Sequence, residues 1–196
     1  MDQILDRLKR AKFAIVGFGS FKYENFIRDL MMKALDNPIL IEYQSIEKLM
    51  NWLKSDRFKR DMKLKGLLGA EKITLVVDIN SIESPKNIRE GVSLYTQRKE
   101  IIYKLWEFIY KIDEQRYLGN KSIPSINLVI LSFVRKNIKV SSDSIPIILK
   151  HSSDLIMVFS DDTIHVLKDK DEGCKNIPFT HKSIMRHLKL NKLLDE

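Results

Sequence analysis

The chain has 196 residues, 44% of them hydrophobic and 31% charged, which suits one globular domain spanning residues 1–196. No run reaches the roughly 18 apolar residues that a membrane-spanning helix requires, and the charged amino terminus does not resemble a signal peptide. The single cysteine, Cys174, excludes an intramolecular disulfide and a multi-cysteine metal site. We therefore expect an intracellular protein of the cytoplasm, nucleoid or nucleus.

The formal net charge is +8 at pH 7. A charge of this sign favours polyanionic partners, with nucleic acid first and acidic protein or membrane surfaces second. The alternative explanation is general solubility, because lysine-rich chains are common. DNA, single- or double-stranded, is the partner we expect, and we expect no membrane partner.

Strands and helices are predicted to alternate over the first two thirds of the chain, and two hairpin-like strands follow. This order predicts an α/β fold: a mostly parallel central sheet flanked by helices, with an antiparallel hairpin at one edge. The predicted strands are 12–17, 39–43, 72–80, 126–133, 155–159 and 164–167, with a return strand near 177–179. The predicted helices are 1–10, 23–35, one capped by Ser45, a long one from Ser84-Pro85 to about Ile112, and 181–194.

The strand at residues 72–80 is apolar and β-branched and ends on Asp78. Such a run is typical of a buried parallel strand, whose carboxyl end lies where open α/β sheets bind ligands. In nucleotide hydrolases an acid at this position holds magnesium. The alternative interpretation is that Asp78 caps a turn or the following helix.

A glycine turn, residues 17–23, follows the first predicted strand, a short one, and has the shape of a phosphate-binding loop. Gly19 and Lys22 are its candidate nucleotide-binding residues, together with Asp78. However, Phe21 stands where a glycine should pass close to a phosphate, and Tyr23 stands where a hydroxyl should bind magnesium. The sequence therefore predicts no efficient ATP hydrolysis and no bound cofactor, with ATP and magnesium as the alternative.

Several segments, taken in this order, resemble the core of the RecA-like ATPases, the superfamily of recombinases and hexameric replicative helicases. They are Leu75–Asp78, Asn127–Phe133, Ile147–Val158, Val166–Lys170 and Ile177–Phe179. The resemblance implies a RecA-like fold with a degenerate phosphate loop. It also implies that Lys168 and Lys170 form a basic finger that reaches a neighbouring subunit's nucleotide. The alternative is that these lysines discourage pairing at a sheet edge.

Two basic segments are candidate DNA contacts. The first follows the strand at residues 126–133, where the equivalent loop of RecA-like proteins touches the DNA backbone; it carries Arg135, Lys136 and Lys139. The second lies within residues 54–65 and includes Lys54, Arg57, Lys59 and Arg60. Trp52 and Phe58 are interleaved with the second segment, either to stack on bases or to anchor an amphipathic helix in the core.

These observations predict a non-hydrolysing, RecA-like accessory or paralogue protein of DNA recombination, repair or replication. It would bind DNA and a partner subunit, either a related ATPase or recombinase or a second copy of itself. One alternative is an ATPase with an atypical phosphate loop. Another is a protein-only adaptor that caps an ATPase assembly.

Overall fold

The computed structural model describes residues 2–18, 24–42, 45–79, 94–118, 124–133, 153–160, 163–170 and 173–178. Within these ranges the helices are α1 (Asp2–Arg10), α2 (Glu24–Ala34), α3 (Ile46–Lys54), α4 (Asp56–Leu67) and α5 (Leu94–Tyr117). The strands are β1 (Phe13–Phe18), β2 (Pro38–Ile41), β3 (Lys72–Asp78), β4 (Ser125–Phe133), β5 (Leu155–Ser160), β6 (Thr163–Asp169) and β7 (Lys175–Pro178).

The seven strands form one sheet in the order β2-β3-β4-β1-β5-β6-β7. The first five strands of this order are parallel, and β6 and β7 add antiparallel strands at the β5 side. The predicted α/β fold is thus confirmed as a mostly parallel sheet with an antiparallel hairpin. Because the parallel strands point the same way, the sheet has a carboxyl edge, where they end, and an amino edge, where they begin.

Both faces of the central strands are covered, which explains why their sequences are apolar without alternation. Ala14 and Val16 of β1 belong to a core cluster with residues of α1 and α2. Phe13 and Ile15 belong to a second cluster with residues of α3, α4 and α5. The period of two along β1 therefore separates its side chains between two helical layers.

The basic segment at residues 54–65 is divided between two helices, a break that the sequence analysis did not predict. Ser55 adopts an extended conformation at the junction (φ −68°, ψ 151°), and its Oγ accepts a hydrogen bond from the Phe58 amide at 3.1 Å. The same hydroxyl donates to the Trp52 carbonyl at 2.7 Å. Ser55 thus ends α3 and begins α4, in the manner of a helix N-cap.

Two predicted helical stretches, residues 84–93 and 181–194, lie outside the described residues. Within the part of the chain that the structure describes, no helix combines the length and the apolar character needed to cross a membrane.

Candidate functional site

The carboxyl edge contains Asp78, the last residue of β3. Asp78 is opposite Leu131 of β4, and β4 lies between β3 and β1. Asp78 is therefore about 10 Å, or two strand spacings, from Val16 of β1, two residues before that strand ends. Gly19 and Lys22 follow β1 in the sequence, and Arg135, Lys136 and Lys139 follow β4; all five lie outside the described residues.

The carboxylate of Asp78 is fully buried and binds the guanidinium of Arg28, which projects from α2. Arg28 Nε donates to Asp78 Oδ2 at 3.1 Å, and Arg28 Nη2 donates to the same oxygen. A buried carboxylate is costly unless it is paired and hydrogen-bonded, so the guanidinium provides the compensation that this position requires.

Two further carboxylates contact the same guanidinium. Arg28 Nη2 lies 2.9 Å from Glu24 Oε1, one turn earlier on α2, and Arg28 Nη1 lies 2.6 Å from Glu42 Oε1, just after β2. Burial opposes the charged form, but the hydrogen bond to Asp78 and the charges of Asp78, Glu42 and Glu24 together raise the pKa of Arg28. We call Arg28, Asp78, Glu24 and Glu42 the arginine cluster.

The arginine cluster is chemically a set of three carboxylates gathered around one cation of the chain itself. The guanidinium contacts Oδ2 of Asp78, an oxygen that a magnesium ion would need. Across the residues that the structure describes, no group of three or more His, Cys, Asp or Glu side chains is arranged to hold a metal ion. Arg28 was not predicted from the sequence as part of this site, although the spacing of Glu24 and Arg28 is typical of an i,i+4 ion pair.

The second basic segment, in contrast, lies toward the amino edge. Helix α4 carries five basic residues against two acidic ones. Phe58 and Met62 are buried on its inner face, whereas Arg57 and Arg60 are exposed on the opposite face. Arg57 and Arg60 form no salt bridge with another described residue. We call these two residues the outer cation face.

Trp52 and Phe58 act as anchors in the core. Phe58 is 2% exposed, and Trp52 packs edge-on against it with ring centroids 4.8 Å apart. Phe108 of α5 lies on the other side of Phe58, at 6.0 Å. The core interpretation of these two aromatic residues is therefore confirmed, and the buried ring of Phe58 presents no open face to a nucleic-acid base.

A groove lies between α4 and α5 on this side of the molecule. Its volume is about 530 Å³, and Ile126 at the start of β4 forms part of its wall, which places it near the amino edge. The other lining residues include Lys54 from α3 and both Lys59 and Lys63 from α4. The basic segment is thus divided between the outer cation face and this groove, and both lie away from Asp78.

The proposed finger residues also lie at the amino edge, because β6 runs antiparallel to β5 and ends opposite its first residue. Lys168 donates a hydrogen bond to the Ser153 carbonyl, and burial lowers its pKa, partly opposed by the charge of Asp154. Lys170 is exposed in the turn after β6. The Lys168 ammonium is therefore bound within its own chain, while Lys170 faces solvent.

A buried ion pair fixes α1 to the same part of the sheet. Arg7 Nη1 lies 2.9 Å from Asp169 Oδ2, and both side chains are almost fully buried. Nearby, Asp154 Oδ2 accepts hydrogen bonds from the Lys12 amide at 2.8 Å and the Phe13 amide at 3.2 Å. These contacts attach α1 and β1 to the β5–β6 hairpin, which is a structural role.

Comparisons with known proteins add little to this geometry. No protein-family model matches the sequence, and no curated protein matches it. A solved structure from Pyrococcus horikoshii OT3, described as a structural-study target, is similar at 14% identity with a TM-score of 0.35. The match covers 87% of this chain and 93% of that chain, and at this TM-score we draw no conclusion from it.

Proposed function

We propose that the protein is a non-hydrolysing, RecA-like accessory protein that binds DNA and a partner subunit in recombination, repair or replication. The observation that carries the DNA-binding part is the outer cation face: Arg57 and Arg60 are exposed on a helix whose net charge is positive. Mobile surface cations suffice to neutralise phosphates, and this contact requires no sequence readout.

The arginine cluster supports the absence of hydrolysis. Asp78 supplies its carboxylate to Arg28, and the nearby carboxylates of Glu24 and Glu42 outnumber the single guanidinium. Without a divalent cation these carboxylates repel the phosphates of a nucleotide. The sequence adds Phe21 and Tyr23, which lack the chemistry that a phosphate loop needs.

The sheet supports the RecA-like part of the proposal. The glycine turn follows β1 and Asp78 ends β3, and the parallel order brings the carboxyl ends of these two strands to one edge. Arg135, Lys136 and Lys139 follow the strand between them, and we propose them as a second DNA contact.

A titration of labelled duplex and single-stranded DNA against salt tests the proposal. We expect the logarithm of the binding constant to fall linearly with the logarithm of the salt concentration. Replacing both Arg57 and Arg60 by Ala should reduce the slope by about two, because each phosphate contact contributes about one. Lys33→Ala, which removes an exposed lysine from α2, is the control and should leave the slope unchanged. Absent binding at 50 mM salt, or binding that salt does not weaken, would contradict the proposal.

A nucleotide-binding measurement tests the ATPase alternative in the same preparation. We expect no saturable binding of ATP with magnesium. Saturable binding that disappears in Lys22→Ala would instead support an atypical phosphate loop, and would refute the non-hydrolysing interpretation if ATP turnover accompanied it.

A further inference from the structure

The groove between α4 and α5 has an apolar floor that the proposed DNA contacts do not use. Its volume, about 530 Å³, is within the range of known ligand and peptide pockets. Three of its six apolar residues are aliphatic, two are aromatic and one is a methionine. Phe108 and Ile112 are half-buried and reach the surface of the groove, whereas the other four are buried beneath it. Its apolar residues are Leu53, Phe58, Met62, Phe108, Ile112 and Ile126.

Lysines surround this floor from three helices. Lys54 ends α3, Lys59 and Lys63 lie on α4, and Lys111 lies on α5. Lys111 pairs with Glu107 at 2.7 Å and Lys59 with Asp56 at 3.4 Å, both on exposed helix surface. Lys54 and Lys63 form no salt bridge with any described residue. We call the apolar floor and these four lysines the lysine groove.

The lining residues favour a helical ligand over a nucleic-acid base. Base stacking requires an exposed aromatic face, and neither ring of the floor offers a full one: Phe58 is buried against Trp52, and Phe108 is half-buried. Aliphatic floors framed by two helices instead accept the apolar face of a third helix. On α5 the floor runs from Phe108 to Ile112, with Gln115 at its end; this span of two turns is about 10 Å. This length suits two or three apolar anchor residues of a bound helix, spaced three or four positions apart.

The cationic rim determines the charge of the ligand. Acidic residues beside the apolar anchors would face the lysines, which complements the potential of the groove. A second copy of this chain is a poor ligand, because each copy carries a net charge of +8. We propose that the lysine groove binds an acidic amphipathic helix of a partner protein. This inference is independent of the DNA-binding proposal, because it depends on the lysine groove and not on Arg57 and Arg60.

A designed peptide tests the inference on the full chain. The probe is a fluorescein-labelled helical peptide of 14 residues, with leucines at i, i+3, i+4 and i+7 and glutamates beside them. We expect saturable binding by fluorescence anisotropy at 150 mM salt. A matched peptide with lysines in place of the glutamates should bind at least ten-fold more weakly, and one with serines in place of the leucines should not bind.

Two charge reversals localise the binding. Lys63→Glu changes the rim of the groove, whereas Lys33→Glu changes an exposed residue of α2, which packs on the opposite face of the sheet. Both residues are exposed, so both variants should fold, which circular dichroism checks. We expect Lys63→Glu to weaken the acidic peptide at least ten-fold and Lys33→Glu to change its affinity less than two-fold, because salt screens the more distant charge.

Three outcomes would overturn the inference. The first is the absence of saturable binding by the acidic peptide. The second is equal weakening by Lys63→Glu and Lys33→Glu, which would indicate general electrostatic attraction. The third is displacement of the peptide from the groove by a single-stranded oligonucleotide or by laurate, which would assign the groove to nucleic acid or to a fatty-acid anion. A failed DNA titration would leave the peptide result unaffected.

Discussion

The arginine cluster at the carboxyl edge and the lysine groove near the amino edge use charge in opposite ways. In the arginine cluster, three carboxylates converge on one guanidinium and are paired within the chain. At the amino edge, the lysines of the groove are exposed around an apolar floor, and their ion pairs are confined to exposed helix surface. Buried charges of the first kind determine stability, whereas exposed charges of the second kind contribute little to it.

The structure gives these two clusters roles that the sequence does not suggest. Asp78 lies where the sequence predicts a nucleotide-binding residue, yet its buried contact with Arg28 is that of a structural ion pair. The basic segment at residues 54–65 has no catalytic motif, yet it provides the outer cation face and most of the rim of the lysine groove. We therefore expect substitutions in the arginine cluster to change stability and substitutions in the lysine groove to change binding.

Among variants of the arginine cluster and the lysine groove, Arg28→Met should have the largest effect on stability. Removing the guanidinium leaves the buried carboxylate of Asp78 without its partner, which should lower the free energy of unfolding by about 3–5 kcal/mol. Urea unfolding followed by circular dichroism measures this change. Lys33→Met on the same helix is the matched control and should cost less than about 0.5 kcal/mol, because its ion pair with Asp29 is long and exposed.

A second variant separates the lost ion pair from lost packing around Arg28. Adding Asp78→Asn to Arg28→Met removes the buried charge and should recover part of the stability. If Arg28→Met alone cost less than about 1 kcal/mol, the arginine cluster would not be the structural element that we describe.

The sequence predicts the fold well because buried strands and helices leave a direct pattern of apolar residues in it. Runs such as residues 126–133 are mostly apolar on both faces, which is typical of a covered parallel strand. The break at Ser55 was not predicted, although the spacing of the buried residues changes there: Leu53 and Phe58 are five positions apart, one more than the i,i+4 spacing within a helix. Ser55 followed by Asp56 is also a recognisable helix start.

The candidate site was less predictable, because its contacts join residues that are distant in sequence. Arg28 and Asp78 are fifty positions apart, and a single sequence carries no signal that pairs them. The lysine groove likewise requires α5 to lie beside α4, which depends on the order of the strands beneath them. For the aromatic residues at positions 52 and 58, the sequence left base stacking and core anchoring as alternatives. Only their packing in the structure identifies the core role.

A smaller effect on stability is expected at the lysine groove. Replacing Lys59 and Lys63 together by Ala should change the free energy of unfolding by less than about 0.5 kcal/mol, because both side chains are exposed. The same double variant should bind the acidic peptide at least ten-fold more weakly. A loss of stability above about 1 kcal/mol would show that the lysine groove, like the arginine cluster, uses its charges to hold the fold.

The smallest effect concerns Lys12, an amino-edge lysine that is turned inward. Lys12 Nζ pairs with Asp113 of α5 at 2.5 Å and donates to Ser125 Oγ at 3.1 Å. Burial lowers its pKa, although the hydrogen bond and charge of Asp113 oppose this effect; the charges of Arg116 and Lys72 lower the pKa further.

This shift has a defined sign in the pH dependence of stability. Between the lowered pKa of the folded state and the ordinary value of 10.5, the unfolded chain holds a proton on Lys12 that the folded chain has lost. Stability contributed by this group therefore rises with pH across that window. The difference in unfolding free energy between the wild type and Lys12→Met should increase as the pH is raised from neutral toward 10.5, as measured by urea unfolding at each pH. If this difference in unfolding free energy decreased over the same range, the attraction of Asp113 would outweigh burial. Lys12 would then be stabilised by its ion pair, as Arg28 is in the arginine cluster.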